Sequence, residues 1–227
     1  SGVTVKVLGA ITNDNLVIDL ADKAAADNAL SIELTGAGVA GANEVLNIDA
    51  AGVETLNIKA SNTTAANLDL AGVAATSATG TVTANITGTG DIVLKSLSAL
   101  TNVVDANAAT GAITLASADR AATAMTITTG QGADSVAMRH ANDVLNGGLG
   151  TDTLVLTPNF VLGGVQIDLS STTDQITTFN GSANAAVQVG FENVDASGVT
   201  GSFGADITAI KTGSTITGTA NADVITG

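Results

Sequence analysis

The sequence predicts an all-β protein built as a parallel β-helix, or β-solenoid. Short runs of alternating apolar residues recur along the whole chain, and turns rich in Gly, Asn and Asp separate them. The hairpin dipeptides Asn-Gly and Asp-Gly, which a β-sandwich needs between paired strands, are nearly missing, and the clearest example is Asn146-Gly147. Many short strands without hairpins favour a chain that coils, with each turn stacked on the one before.

The predicted strands begin about 10–14 residues apart, which suits a solenoid or a sandwich better than an α/β fold. A coil of about 20 residues, stacked at about 4.8 Å per rung, is the repeating unit that this spacing implies. The apolar runs are Thr4–Leu8, Leu16–Leu20, Leu30–Leu34, Val45–Ile48, Thr55–Ile58, Asn67–Leu70, Thr81–Ile86, Ile92–Leu94, Val103–Asp105, Ala112–Leu115, Met125–Thr128, Thr153–Leu156, Val165–Leu169, Ala186–Val189, Ile207–Ile210 and Ser214–Thr217.

Two segments depart from this rhythm. Residues 22–28 (D-K-A-A-A-D-N) look helical over at most two turns, and residues 158–184 are irregular enough to predict a looped excursion. The chain also opens and stops in the middle of its pattern, which reads as a fragment of a longer protein. The predicted organisation is a solenoid of irregular repeats over 1–128, calcium-binding repeats over 129–157, a continued solenoid with the excursion over 158–217, and the start of a further repeat over 218–227.

The composition fits stacked β-strands with a small-residue core. The 227 residues include 4 Phe but no Tyr or Trp, so the core must consist of Val, Ile, Leu and Ala. Such uniform side chains suit ladders in which each rung packs on a similar one. Only 12% of the residues are charged, against about a quarter in an average domain, so the surface must be mostly Thr, Ser and Asn.

The charge balance excludes several partners. The formal net charge is −14, from 21 acidic residues and 7 Lys+Arg, which argues against nucleic acid and against anionic membranes. The sequence has no apolar run long enough for membrane insertion and no Cys for a disulfide or a thiolate metal site. Divalent cations are the natural counter-charge for this chain.

Three aspartates, Asp134, Asp143 and Asp152, follow each other at intervals of nine residues. The last one completes the pattern G-G-x-G-x-D-x-U-x over residues 147–155, where U is a large apolar residue. Glycines allow a turn that points carbonyl oxygens inward, and the aspartate adds a carboxylate, which together are the oxygen ligands that Ca²⁺ prefers. A repeated loop of this kind indicates a metal site rather than a catalytic one.

The period also predicts how the loops stack. Nine residues make half a coil, so Asp134 and Asp152 should lie on the same side and share an ion, with Asp143 on the opposite side. The Asp143 loop is degenerate, because Arg139 and Ala141 replace its glycines. Gly/Asn-rich turns that hold no metal are the alternative. The predicted calcium-binding residues are Gly130, Gly132, Asp134, Asn142, Asp143, Gly148, Gly150, Asp152, Asn221 and Asp223.

The other polar residues give weaker signals. Asp91 and Asp206 follow glycine turns and are secondary calcium candidates. Glu54 and Glu192 precede strands at the same place in repeated phrases, which predicts solvated turn or rung residues. The single histidine, His140, has no partner base, and no paired carboxylates lie in an aromatic cleft, so the sequence predicts no enzyme.

The nonapeptide pattern, together with the phrases V-E-T-L-N-I and F-E-N-V-D-A-S in an acidic Thr/Ala/Gly-rich chain, resembles the RTX-containing bacterial surface-layer (S-layer) proteins. It is also similar to large RTX repeat adhesins. The motif covers about 129–156 with a restart at Gly218, and the rest matches by phrase and composition. The resemblance implies a right-handed β-helix with calcium in its turns, type I secretion, and calcium-dependent assembly on the cell surface.

We therefore expect a secreted, calcium-binding structural constituent of an S-layer that self-associates in a two-dimensional lattice. Cell-surface polysaccharide or lipopolysaccharide would be a further partner through another domain. An RTX adhesin or biofilm matrix protein, or the carrier segment of a type I-secreted hydrolase, are the alternatives. Calcium would act as a folding switch, because stacked aspartates repel each other without it.

Overall fold

A computed structural model describes residues 2–25, 27–36, 44–75, 80–116, 123–157, 163–199, 201–210 and 213–227. These residues form strands and turns with no helix among them, so the prediction of an all-β protein is confirmed. It follows that no helix in this part of the chain could cross a lipid bilayer. The strands are β1 (Gly2–Val7), β2 (Asn15–Ile18), β3 (Ala29–Leu34), β4 (Leu46–Ala51), β5 (Thr55–Ala60), β6 (Ala66–Ala74), β7 (Val82–Gly88), β8 (Ile92–Leu97), β9 (Thr101–Ala109), β10 (Ile113–Leu115), β11 (Thr126–Thr128), β12 (Ser135–Met138), β13 (Val144–Asn146), β14 (Thr153–Leu156), β15 (Val165–Asp168), β16 (Ile176–Phe179), β17 (Ser182–Ala183), β18 (Gln188–Val189), β19 (Asn193–Asp195), β20 (Ala205–Thr208), β21 (Ile216–Thr217) and β22 (Val224–Thr226).

The strands form two long parallel sheets and one shorter mixed sheet. From β1 to β14 successive strands alternate between the two long sheets, so each strand pairs with the next strand but one. The first sheet has the order β1-β3-β5-β7-β9-β11-β13-β18, and the second has β2-β4-β6-β8-β10-β12-β14-β19-β21. The third, β17-β16-β15-β20-β22, contains the antiparallel pairs β15–β16 and β16–β17. Long parallel sheets connected in this way are consistent with a chain that coils.

The pairing registers show that the repeat shortens along the chain. Asn57 pairs with Asn85, and in the first sheet from β1 to β7 paired residues are 26 to 28 positions apart in sequence. Ser135 pairs with Thr153, where the separation is 18. The predicted repeat of about 20 residues lies between these values. The 18-residue spacing is twice the nine-residue period of the aspartates.

The core is built from aliphatic columns that run across the sheets. One column takes one residue from each of eight strands of the second sheet, and all but the last are buried. Each buried Leu contributes roughly 1.5–3 kcal/mol relative to an exposed one, and similar side chains stack on each other from rung to rung. The column is Leu46, Leu68, Leu94, Leu115, Val136, Leu154, Val194 and Ile216.

Every predicted apolar run overlaps a strand, but the predicted helix at 22–28 is wrong. Residues 22–25 and 27–28 form turns, and residue 26 lies outside the described part of the chain. The Asn28 amide donates to the carbonyl oxygens of Asp22 (2.7 Å) and Ala25 (3.2 Å), which closes the segment as a loop. Asn and Asp side chains compete with helix formation in this way.

The predicted excursion contains a β-hairpin that was not predicted from the sequence. Residues 158–162 lie outside the described residues, and β15, β16 and β17 follow. Asn180 and Gly181 connect β16 to β17 with φ values of 52° and 74°, which is the geometry of a type I′ turn. Asn146-Gly147, the dipeptide singled out from the sequence, lies instead in the turn between β13 and β14. The chain then rejoins the two long sheets at β18 and β19.

A buried amide network attaches the third sheet to the long sheets. The Gln175 amide donates to the Phe191 carbonyl oxygen (2.7 Å), and its oxygen accepts the Phe191 N–H (3.0 Å). The Gln188 amide donates to the Asp143 carbonyl oxygen (2.5 Å). Both glutamine side chains are buried and hydrogen-bonded, which fixes the place where the chain returns from the excursion.

Candidate calcium-binding turns

Asp134 and Asp152 stack on each other, as the 18-residue period predicts. Asp134 precedes β12 and Asp152 precedes β14, and these strands are neighbours in the second sheet. The Asp134 N–H donates to Asp152 Oδ1 at 2.8 Å. Both side chains are buried, with 1% and 0% of their surface exposed. Two carboxylates are therefore held in adjacent turns, away from bulk water.

Asp143 lies at the opposite edge, in the turn between β12 and β13. Its carboxylate accepts three backbone N–H groups, from Met125 (2.8 Å), Arg139 (3.0 Å) and His140 (2.9 Å). Asn142 is exposed, and its N–H donates to His140 Nδ1 at 3.1 Å. Both oxygens of this carboxylate thus have donors, and the turn closes without an ion.

Asp134 and Asp223 share one hydrogen-bond arrangement. One oxygen accepts the N–H of the residue four positions earlier, Gly130 for Asp134 (3.1 Å) and Thr219 for Asp223 (2.8 Å). The other accepts an N–H from the preceding rung, Ile113 (2.7 Å) and Ala205 (2.8 Å) respectively. Each carboxylate therefore closes its own turn and connects it to its neighbour, with charge-assisted hydrogen bonds.

Asp152 departs from this arrangement. Its Oδ2 is buried and has no hydrogen-bond partner. The N–H four positions earlier, of Gly148, donates instead to Asn146 Oδ1 at 3.0 Å. Burial raises the pKa of Asp152 to about 7; the hydrogen bond from Asp134 opposes this shift, and the negative charges of Asp134 and Glu192 add to it. A buried carboxylate with an unused oxygen is the kind of group that a cation would complete.

Glycines allow main-chain oxygens to approach this carboxylate pair. Gly148 and Gly150 have φ values of 85° and 142°, which favour glycine. A Cβ on Gly148 would overlap the Gly130 carbonyl oxygen, and one on Gly150 would overlap that of Gly132. The carbonyl oxygens of one turn therefore face the backbone of the next. Main-chain carbonyl oxygens are neutral ligands of the kind that Ca²⁺ accepts beside carboxylates.

The predicted repeat near the C-terminus has a different environment. Asp223 is half-buried, and this burial raises the pKa of its carboxyl group. Hydrogen bonds from the Ala205 N–H and from the hydroxyl and N–H of Thr219 lower the pKa by more than burial raises it, so the net shift is downward. The Asn221 amide donates to the Gly201 carbonyl oxygen (2.6 Å). Ala205 occupies the rung position next to Asp223, so no second carboxylate stacks there.

The weaker calcium candidates are single carboxylates. Asp91 Oδ1 accepts the Ala112 N–H at 2.7 Å, and this residue is exposed at its turn. Asp206 lies exposed on β20 rather than in a turn. Neither is stacked on another acidic residue: Asp91 lies between Ala65 and Ala112 in the strand registers, and Asp206 pairs with Gln166 and Val224.

Glu54 and Glu192 are rung residues, which is one of the two predicted alternatives, but they are only partly solvated. Both are half-buried, and each accepts an N–H from the preceding rung. Glu54 Oε2 accepts that of Asn28 (3.0 Å), and Glu192 Oε2 accepts that of Asp152 (2.8 Å). Their matching positions in the two repeated phrases indicated a common role, which is to accept a hydrogen bond from the preceding rung.

Among the described residues, no three His, Asp or Glu side chains converge on one point as a metal-binding group. A calcium site in these turns would therefore combine two carboxylates with main-chain carbonyl oxygens, a ligand set that Ca²⁺ accepts. The fit is best at Asp134 and Asp152, because two carboxylates are stacked there and Asp152 Oδ2 is buried without a donor. It is poorer at Asp143, because both of its oxygens accept N–H groups and no carboxylate is stacked on it.

Comparison of the sequence with known protein families and with curated proteins, and of the fold with solved structures, finds no match.

Proposed function

We propose that this chain is a calcium-stabilised parallel β-solenoid with RTX-type turns, and that it is a structural constituent of a bacterial S-layer. The proposal rests on its long parallel sheets, on the nonapeptide pattern at 147–155, and on the resemblance stated for the sequence. The observation that carries the calcium assignment is the unpartnered, buried Oδ2 of Asp152. The role is structural, because uniform aliphatic columns and paired turns provide stacking rather than a substrate cleft.

The ion would be shared between the two turns that contain Asp134 and Asp152. Their carboxylates carry the formal charge, and the glycine-lined backbone of both turns supplies carbonyl oxygens. Bound calcium contributes a positive charge between two buried negative ones. The residues assigned to the ion are Gly130, Gly132, Asp134, Gly148, Gly150 and Asp152.

The same arrangement gives a folding switch. Without a cation, the stacked carboxylates of Asp134 and Asp152 repel each other in a low-dielectric site. Extracellular calcium modules bind with dissociation constants of about 10⁻⁴–10⁻³ M, so the turns would stay empty in the cytosol and fill outside the cell. Because an intact site exists only in the folded chain, the binding free energy adds to the stability of the fold. This suits a protein that crosses a type I channel unfolded.

Thermal unfolding in EDTA and in about 10 mM calcium tests the calcium assignment. With a dissociation constant of about 10⁻⁴ M, saturation stabilises the fold by about 2.7 kcal/mol, which raises the Tm of a chain of this size by about 5–10 °C. Asp152→Ala should abolish most of this rise and Asp143→Ala should leave most of it. Identical melting curves with and without calcium would remove the assignment, and equal losses in the two variants would show that the turns are ranked wrongly.

Electron microscopy of the protein in calcium distinguishes the S-layer role from its alternatives. A lattice subunit should form ordered two-dimensional sheets that dissolve in EDTA. An adhesin or biofilm matrix protein, or the carrier segment of a secreted hydrolase, should remain monomeric while still binding calcium. A secreted, surface-located protein is proposed in each case, because only the extracellular calcium concentration fills sites of this affinity.

A further inference from the structure

The column of stacked carboxylates continues beyond the nonapeptide repeats. In the second sheet, Thr153 of β14 pairs with Asn193 of β19, so Glu192 follows Asp152 on the next rung. The Asp152 N–H donates to Glu192 Oε2 at 2.8 Å, just as the Asp134 N–H donates to Asp152 Oδ1. Asp134, Asp152 and Glu192 are therefore acidic residues at one position of three consecutive rungs.

Two observations single out the space between Asp152 and Glu192. Asp152 is 0% exposed and its Oδ2 has no hydrogen-bond partner. A Cβ on Gly147 would overlap the Gly190 carbonyl oxygen and would lie 2.9 Å from the Asp152 Cβ. The Gly190 carbonyl oxygen and the Asp152 side chain thus converge on the bare backbone of Gly147. The Gly190 carbonyl oxygen therefore lies beside the side chain of Asp152, whose Oδ2 has no hydrogen-bond partner.

We propose that a second calcium ion binds between the turn of residues 147–152 and the turn of residues 190–192, with Asp152 and Glu192 as its carboxylate ligands and Gly190 as a main-chain ligand. This inference rests on the proposed function, since it adds a site to the same column. Glu192 lies outside any nonapeptide pattern, and its turn ends the column, because the register that pairs Val194 with Ile216 places Ser214 next to Glu192 on the following rung. The second ion would join the repeat turns to the part of the chain that follows the excursion.

Glu54 provides a matched control within the same protein. Like Glu192, it is half-buried and its Oε2 accepts an N–H from the preceding rung, at 3.0 Å. That rung contributes Asn28, so no carboxylate is stacked beneath Glu54. A glutamine at either position keeps an oxygen that can accept the N–H, and removes only the negative charge.

The test is a calcium titration of the whole chain, with the number of bound ions measured by calorimetry and by native mass spectrometry. Glu192→Gln should bind one ion fewer per chain than the wild type, whereas Glu54→Gln should bind the same number. If Glu192→Gln binds as many ions with the same affinity, the second site does not exist while the site at Asp134 and Asp152 stands. If the wild type itself binds no calcium, both are overturned.

Unfolding measurements give an independent readout that a simple hydrogen-bonding role would not move. In EDTA, Glu192→Gln should be more stable than the wild type, because it removes a charge next to ionised Asp152; in calcium it should be less stable, because it loses a ligand. Glu54→Gln should have the same effect in both conditions. An equal loss of stability for Glu192→Gln in EDTA and in calcium would reduce Glu192 to a hydrogen-bond acceptor.

Discussion

Asp152→Asn should stabilise the calcium-free protein, although it removes a residue assigned to the metal site. Asn keeps an oxygen that can accept the Asp134 N–H, which lies 2.8 Å from Oδ1, and it replaces the unpartnered Oδ2 by an amide group. The variant therefore loses a buried negative charge without losing a hydrogen bond. In calcium the effect should reverse, because the charge is then needed by the ion.

The magnitude follows from the pKa of Asp152, which burial raises from 3.8 to about 7. The folded protein holds this proton more tightly than the unfolded chain, so the contribution of Asp152 to calcium-free stability is fully present below about pH 4 and is lost as the pH rises through about 7. At about 1.4 kcal/mol per pKa unit, the loss amounts to roughly 4 kcal/mol, of which about 3 kcal/mol occurs between pH 5 and pH 8. Asp152→Asn should gain by that amount relative to the wild type over the same interval.

Urea unfolding in EDTA at several pH values measures this difference directly. Asp143→Asn is the control, because both oxygens of Asp143 accept backbone N–H groups and the variant leaves one of these without an acceptor. It should lose about 1–3 kcal/mol. The reasoning is refuted if Asp152→Asn is less stable than the wild type in EDTA at pH 8, or if the difference between them does not change with pH.

Two further variants test the stacking of the turns. Gly150→Ala should cost at least 2 kcal/mol more than Gly181→Ala in urea unfolding, on the order of an overpacking penalty. Both glycines have positive φ, but of the two only Gly150 faces a carbonyl oxygen, that of Gly132. Equal costs would mean that backbone strain alone matters. Asn146→Ala should release the Gly148 N–H to Asp152 and reduce the calcium-induced rise in Tm. An undiminished rise would contradict this role of Asn146.

The sequence predicted the strands and the main stack because both depend on local periods. Alternating apolar residues identify strands wherever one face is buried, and the nine-residue period placed Asp134 next to Asp152 and Asp143 on the other side. The helix predicted at 22–28 failed because the Asn28 side chain hydrogen-bonds to the carbonyl oxygens of its own loop. Propensity over seven residues could not anticipate those contacts.

The position of Glu192 could not be read from the period. It is 40 residues from Asp152 in sequence, because β15, β16 and β17 intervene before the chain returns to the second sheet. Because the path of this insertion cannot be predicted from the sequence, the residue that continues the column after it cannot be predicted either. The role of Asn146 was equally hidden, since it depends on which of two side chains accepts the Gly148 N–H.

The same kind of aspartate therefore has two roles in this fold, and its hydrogen bonds together with its stacking partner decide between them. Where the N–H four residues earlier donates to the carboxylate, as Arg139 does to Asp143 and Thr219 to Asp223, and no second carboxylate is stacked on it, the side chain closes its turn without an ion. At Asp152 that N–H donates to Asn146 instead, so the oxygen is left available in a buried site between two other carboxylates. A turn that is closed by its own hydrogen bonds favours folding at any calcium concentration, whereas under the proposed function the turn at Asp152 would make folding depend on the ion. A chain that combines both kinds of turn would be held together along its length and still respond to calcium at Asp152.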